Sequence, residues 1–303
     1  MTQSRSNAAE TSIDPRPILD DLTVVIPTLG RPILEESLNR IASGSAWPAK
    51  LIVVDQSSSD TVAGWLARLC RCGLNAEHVP SRQRGKPAAL NRGIERVTTR
   101  ILAIIDDDCF AEPDWLKLLR QHIYNNPDCV ITGPAHPAGS EVPVSAVTGK
   151  SLSISRRPGI KFDTFCGSNM GARVAVIHKV GMFDEDPCFI AAAEDCDWAY
   201  RALTARVPII YAPDVVVHHF GWRDADQRYS RYQLYARSHG SFYGKYLRRG
   251  DWLIALRALI HHLRALKRWV TGAITGNREQ MLNGRAYLTG LLPGILDRIR
   301  HPQ

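Results

Sequence analysis

The sequence predicts an α/β fold built on a doubly wound, mostly parallel sheet, followed by a helical, basic C-terminal extension. Short and almost wholly apolar runs at 23–26, 51–54 and 101–105 alternate with helical patterns, as strands buried on both faces do. Two of these runs end in Asp55 and in Asp106-Asp107-Asp108, so carboxylates gather at the sheet edge where open α/β folds bind ligands. From residue 223 onward apolar residues recur at helical spacing among arginines.

Each element has a local reason. Residues 1–20, rich in Ser, Asp and Pro, are expected to form a flexible leader; residues 1–9 hold no apolar core of a signal peptide. Thr23-Val-Val-Ile26 is a first strand, stopped by Pro27, and Pro32 suits the first turn of a helix carrying Ile33, Leu34, Leu38 and Ile41. A second strand, 51–54, ends at Asp55, and Ser57, Ser58 and Ser59 offer caps for a helix through Trp65, Leu66 and Leu69. A weak third strand at 76–79, a helix at 86–97 and a strand at 101–105 complete the alternation. Beyond Asp108, helices are expected at 115–124 and 192–204 and strands at 130–132 and 215–219, with an irregular stretch at 134–165.

Composition sets bounds. The 303 residues, 45% hydrophobic and 22% charged, suit one large domain or two small ones. Of seven cysteines only Cys70 and Cys72 are close, which is not zinc-ribbon spacing, and no disulfide framework is implied. No run approaches the ~20 apolar residues of a membrane span. These features favour a cytoplasmic protein, at most peripheral on the inner face of the cell membrane. The net charge of +8 is uneven: residues 223–303 carry 15 Lys/Arg against 5 Asp/Glu. Such asymmetry concerns partners rather than fold.

Three adjacent carboxylates repel one another unless a cation lies between them, and oxygen ligands favour Mg²⁺ or Mn²⁺. An acidic loop facing solvent is the plain alternative. Six segments, in order, resemble family 2 glycosyltransferases of the GT-A fold. They are Pro27-Thr28-Leu29-Gly30-Arg31, Val53-Val54-Asp55-Gln56-Ser57, Gly85-Lys-Pro-Ala-Ala-Leu-Asn91-Arg92-Gly93, Asp106-Asp107-Asp108, Cys166-Gly-Ser-Asn169-Met170, and Gly181-Met-Phe183-Asp184-Glu185 followed by Glu194-Asp195-Cys-Asp197. The resemblance divides the chain into a GT-A domain at 21–222, with a nucleotide-binding half at 21–108 and an acceptor half at 109–222, and the basic helical region at 223–303.

The resemblance implies an inverting, metal-dependent transfer of a sugar from a nucleotide-sugar to a hydroxyl acceptor. It implies Asp108 as the principal metal ligand, Asp106 near the ribose or a metal-bound water, and His219 as a third ligand, which suits Mn²⁺ more than Mg²⁺. Asp107 either joins the ligand or points into the fold. Asp55 is placed to accept from a base N3–H, favouring UDP or dTDP donors; its alternative is a partner for the following helix. Thr28, Arg31 and Ser57 line the nucleotide pocket, Gly85 and Lys86 meet a phosphate, Asn91 sits in the same helix where it braces the Asp-rich loop, and Asn169 falls where donor and acceptor meet. Asp195, with Glu194 second, is the general base, against a helix-capping reading. Trp222 is a possible sugar-stacking side chain.

In the tail, Leu253, Leu256, Leu259, Leu263, Leu266 and Val270 form an apolar stripe among Arg257, Arg264, Lys267 and Arg268, and Tyr229, Tyr232, Tyr235, Phe242, Tyr243 and Tyr246 precede it. This pattern is expected to bind an anionic membrane surface and so to suit a lipid-linked or cell-surface glycan acceptor. A helical subdomain packed on the catalytic body, or an oligomer interface, are the alternatives; nucleic-acid binding is disfavoured for want of a motif. A sugar-phosphate nucleotidyltransferase would need a longer first loop than Thr28-Leu29-Gly30-Arg31, and a non-catalytic binding protein would not need Asp106, Asp108 and Asp195 together.

Overall fold

The computed structural model describes residues 16–138, 147–160, 165–189, 192–221 and 225–301. Its first half alternates as expected: β1 (Ile18–Thr28), α1 (Ile33–Ala42), β2 (Trp47–Asp55), α2 (Thr61–Arg71), β3 (Ala76–Pro80), α3 (Lys86–Ile94) and β4 (Ile101–Ile105). These four strands pair in parallel in the order β3-β2-β1-β4. Side chains alternate across the sheet. Val24, Ile26, Leu51 and Val53 pack with Leu34, Leu38 and Leu66 in one apolar cluster. Val25, Ile52, Val54, Leu102 and Ile104 pack with Leu90 and Ile94 in the other.

Both expected ends of the first strand move. Residues 18–20, placed in the leader, belong to β1, where Ile18 and Leu19 pair with Trp47 and Pro48. Pro27 does not stop the strand, because pairing with β4 has ended by Val25 and the missing N–H has no partner to lose; β1 continues to Thr28 opposite Asp55.

Beyond β4 follow β5 (Cys109–Ala111), α4 (Trp115–Asn125), β6 (Val130–Thr132), β7 (Ala135–Ala138), β8 (Ser153–Ser155), β9 (Asn169–Arg173), α5 (Val174–Val180), a 3₁₀ turn at Pro187–Phe189, α6 (Glu194–Thr204), β10 (Ile209–Tyr211) and β11 (Val217–Phe220). β9 inserts antiparallel between β4 and β6, giving the order β3-β2-β1-β4-β9-β6-β10-β8. A small sheet, β5-β11-β7, crosses the end of β4, and the Phe220 amide donates to the Asp108 carbonyl at 2.9 Å. That bond fixes His219 beside the acidic strand end.

The C-terminal region forms α7 (Ala225–Leu247), α8 (Trp252–Thr275) and α9 (Arg278–Arg300). Helices α7 and α9 touch backbone to backbone: a Cβ on Gly240 would meet the Leu291 carbonyl at 2.2 Å, and one on Gly294 the Arg237 carbonyl at 2.2 Å. Phe242, Tyr243, Tyr246 and Tyr287 pack with Phe189 and Tyr200 of the catalytic body in a third buried cluster. Lys245 Nζ reaches Asp197 at 2.6 Å and Asp184 at 2.7 Å, Tyr246 donates to Asp197, Tyr200 donates to Asp251 and Arg298 pairs with Asp186. The tail is therefore packed on the body. Tyr232, Phe242, Tyr243 and Tyr246, expected among membrane-facing aromatics, are buried, because that face of α7 meets α9 and the start of α6. Among the described residues no helix is long and apolar enough to cross a membrane.

Candidate active site

The carboxyl ends of β1, β2 and β4 and the starts of α3 and α6 converge on one cavity of about 1090 Å³. The acidic triplet divides its tasks. Asp107 is buried and turns toward the first loop: its carboxylate accepts from Thr28 Oγ1 at 2.7 Å and from Arg31 at 2.5 Å. Burial pushes its pKa up against the pull of Arg31. Arg31 is thus anchored by Asp107 at the cavity lining; burial works against its charge, but Asp107 and Asp108 sustain it.

Asp106 accepts from Lys86 Nζ at 2.8 Å, and the same ammonium lies 3.3 Å from Glu194. Burial opposes the charge on Lys86, yet Asp106, Glu194 and Asp195 hold its pKa well above the ordinary value. In this structure Lys86 bridges a strand end and a helix start at the cavity lining. Gly85, at φ +121°, makes the turn that delivers Lys86 there, a backbone conformation that favours glycine.

Asp108 Oδ1 lies 3.4 Å from His219 Nε2, and both side chains are buried. His218 alternates outward to Glu112. Two buried atoms here, Asp106 Oδ1 and His219 Nδ1, have no hydrogen-bond partner among the described residues. Buried polar atoms are rarely left unpaired, and an oxygen-plus-imidazole donor set fits a divalent ion. Asp108, Cys109 and His219 present ligand atoms within 4.8 Å of one another. Burial, reinforced by Asp108 and Asp106, raises the Cys109 pKa well above the ordinary value; Mn²⁺ and Mg²⁺ favour oxygen and imidazole donors over sulfur, so carboxylate and imidazole are the fitting ligands.

Asp195 and Glu194 both line the cavity, Glu194 the more buried at 5% exposed. Burial raises the Glu194 pKa to about 7, Lys86 pulling it down and Asp195 pushing it up. Asp195 Oδ1 accepts from the Cys196 amide at 2.7 Å. Gly167 lets the chain pass close: a Cβ there would lie 2.5 Å from the Asp195 Cβ.

Four of the expected residues lie off the cavity lining. Asn169 is fully buried and spends its amide on Trp115 and on the carbonyls of Pro134 and Val215. Asn91 is bonded to both backbone groups of Phe183 and to Glu185, bracing that segment rather than the Asp-rich loop. Ser57 lies off the cavity lining, its amide donating to Asp55 Oδ1. Asp55 is buried off the lining too, with His78 Nε2 at 3.0 Å from Oδ2; sequence reasoning missed that histidine, which pairs only through the β2–β3 register. Thr28, Arg31, Gly85, Lys86, Asp106, Asp107, Asp108, Glu194, Asp195 and His219 do line the cavity. Trp222 lies outside the described residues. The helical region supplies the opposite wall, including Arg231, Tyr235, His239, His261 and Tyr287, which the sequence did not single out as site residues.

Comparison with known proteins agrees with this frame. A "Pre-mycofactocin glycosyltransferase" of Mycobacterium tuberculosis is 28% identical over 208 residues, 66% of this chain and 42% of that one. "Glycosyltransferase AglE" of Haloferax volcanii is 27% identical over 209 residues, 65% of this chain and 66% of that one. The chain thus spans less than half the length of the first of these relatives. In three dimensions it is similar to the mannosyltransferase PcManGT from Pyrobaculum calidifontis, solved with GDP-Man and Mn²⁺, with a TM-score of 0.62 at 18% identity over 96% of this chain and 90% of that one. It is also similar to residues 1–349 of S. aureus TarS with UDP-GlcNAc, with a TM-score of 0.56 at 15% identity over 89% and 90%. The family model for glycosyl transferase family 2 matches residues 23–181: the chain belongs to that family.

Proposed function

We propose that this protein is an inverting, metal-dependent glycosyltransferase that moves a sugar from a nucleotide-sugar to a hydroxyl acceptor. The observation that carries the reading is the convergence of Asp106, Asp108, His219 and Asp195 on one cavity. Asp108 and His219, with Asp106 Oδ1 an unpaired acceptor on the same cavity, would hold Mn²⁺ or Mg²⁺. Bound there, the ion supplies Lewis-acid stabilisation of the departing diphosphate. Asp195 takes the proton of the acceptor hydroxyl as its oxygen bonds to the anomeric carbon and the bond to the diphosphate breaks. Glu194, paired with Lys86, holds the base-bearing turn in place and acts as a positioning residue. A single displacement of this kind inverts the anomeric centre.

Asp55 supports a uracil or thymine base: with two of its lone-pair sites engaged by Ser57 and His78, the carboxylate retains others for an N3–H. The outward face of α8 supports a peripheral membrane position, because Leu259, Leu263, Leu266, Val270 and Ile274 are exposed along a region of strongly positive charge. That position suits a lipid-linked or cell-surface glycan precursor as acceptor.

The test is a panel of nucleotide-sugars incubated with the purified protein and Mn²⁺. Slow release of nucleoside diphosphate from one of them, abolished by Asp108→Ala, is expected. Release of pyrophosphate from a nucleoside triphosphate and a sugar phosphate would instead identify a nucleotidyltransferase.

A further inference from the structure

The cavity extends well past the acidic strand end, into a chamber between α7, α8 and α9. At about 1090 Å³ it exceeds the usual range of roughly 300–1,000 Å³ for a single small-ligand pocket. Its far wall is a ring cluster: His239 and His261 lie 5.6 Å apart between centroids, and Tyr287 lies 4.8 Å from His261 and 5.8 Å from His239. These rings are uncharged. Burial lowers the pKa of His239, and burial with neighbouring cations lowers that of His261 to about 3. The polar edges are directed: His239 Nδ1 bonds the Tyr235 carbonyl at 2.8 Å, which leaves Nε2 toward Cys196 at 3.9 Å, one residue from Asp195.

Two guanidiniums line the same chamber. Arg231 lies over the Tyr235 ring, and Arg268 donates to Asn283 at 3.2 Å. Neither has a carboxylate partner among the described residues, whereas Glu279, the acid on that wall, is already engaged by Tyr232 and Arg228. Neutral rings offer stacking faces and hydrogen-bonding edges, and an arginine without a carboxylate beside a cavity is the fork that phosphate and carboxylate groups fit.

We infer that the chamber between α7, α8 and α9 is the acceptor subsite, and that it takes a sugar carrying an anionic group, the ring against His239, His261 and Tyr287 and the anion at Arg231 and Arg268. The inference rests on the transferase reading for the word acceptor, but the binding site is tested apart from it. The probes are a hexose 6-phosphate, the corresponding hexuronic acid and the neutral hexose, each titrated by calorimetry into the full chain. At least one anionic probe is expected to bind ten times or more tighter than the neutral hexose, and whichever binds tighter tells phosphate from carboxylate. Arg231→Gln with Arg268→Gln should weaken that binding at least tenfold, with the melting temperature showing that the variant is folded. Asp108→Ala should retain it. Equal binding of the neutral hexose, no binding of any probe, indifference to the double arginine variant, or loss on Asp108→Ala would each overturn the inference. Nucleoside diphosphate release by the unmodified protein is scored separately, so binding without donor cleavage would keep the subsite and sink the transferase.

Discussion

Lys86 Nζ stands 3.3 Å from Glu194 Oε1 and 2.8 Å from Asp106 Oδ2. One ammonium thus joins the acidic end of β4 to the first turn of α6, the turn that also carries Asp195. This arrangement separates two adjacent carboxylates by role. Both line the cavity, but Glu194 is buried and held by a cation, whereas Asp195 is partly exposed. Asp195→Asn is expected to lower the turnover number by about 10²–10⁴, the usual contribution of a general base. Glu194→Gln should cost about tenfold or less, because the neutral amide still fills the site. Steady-state release of nucleoside diphosphate by the two variants decides the order; a larger loss for Glu194→Gln would reverse the assignment.

The proposed metal site is testable without turnover. Asp108→Asn and His219→Ala should each weaken Mn²⁺ binding by tenfold or more, read by calorimetry or by the Mn²⁺ electron paramagnetic resonance signal. Cys109→Ser should leave it unchanged, since Mn²⁺ favours carboxylate and imidazole over sulfur. Loss of Mn²⁺ affinity in the cysteine variant would mean a thiolate ligand.

Much of this site was legible in the sequence, for a physical reason. Parallel strands are buried on both faces, so 51–54 and 101–105 stand out as apolar runs, and the first polar residue after each lies at the ligand edge by topology. Alternation likewise singled out His219 over His218. The rest depends on contacts distant in sequence. β9, Asn-Met-Gly-Ala-Arg, has no strand-like pattern and is a strand because β4 and β6 cover both its edges. Asn91 reads as a brace for the Asp-rich loop and Asn169 as lying where donor and acceptor meet, but their amides satisfy buried backbone groups that only the folded chain brings near. His239, His261 and Tyr287 recur at ordinary helical spacing, and nothing local distinguishes a ring facing a cavity from one facing a core.

The helical region is held to the body by ions that are costly to orphan. Lys245, 10% exposed, neutralises Asp197, which is fully buried, and Asp184. Lys245→Met is expected to destabilise the protein by about 3–5 kcal/mol, the range for removing one partner of a buried pair, measured by urea unfolding. Asp184 gives the pH signature. Burial works to raise its pKa, but the Lys245 contact and the Asp186 amide bring it below 3.8. Its contribution is present above the ordinary carboxylate value and is lost as pH falls through the lowered one. Asp184→Asn should remove that acid-side loss.

Histidine burial predicts a second, separate window. His261 stays neutral in the folded state down to about pH 3, against an ordinary value of 6.5. The unfolded chain takes up a proton that the folded chain refuses, so stability falls as pH drops from 6.5 toward 3, with a slope approaching about 1.4 kcal/mol per pH unit for one proton. His239 shifts in the same direction. His261→Asn, which keeps a polar atom toward Tyr243, should flatten the dependence of unfolding free energy on pH over that interval; an unchanged slope would mean that His261 is accessible to protons in the folded state.

The outward face of α8 and α9 makes the last prediction. Leu259, Leu263, Leu266, Val270 and Ile274 follow one another at three- and four-residue steps along α8, with Ile274 78% exposed, and Leu292, Leu296 and Ile299 are exposed on α9. Packing against the body cannot account for them, since the buried face of these helices is occupied by Ile254, Ala258, Ala265, Tyr287 and Leu291. Arg264, Lys267 and Arg300 stand among the exposed positions. Anionic headgroups contribute about 1 kcal/mol per nearby cation and are screened by salt, whereas apolar burial is not. The protein should therefore sediment with anionic vesicles at low salt, less at high salt, and poorly with neutral vesicles at either. Leu259→Ser, Leu263→Ser and Ile274→Ser together should abolish sedimentation without lowering the melting temperature, because all three side chains already face water. Concentration-dependent dimerisation in the absence of vesicles, lost in the same triple variant, would show instead that this face meets a second copy of the chain.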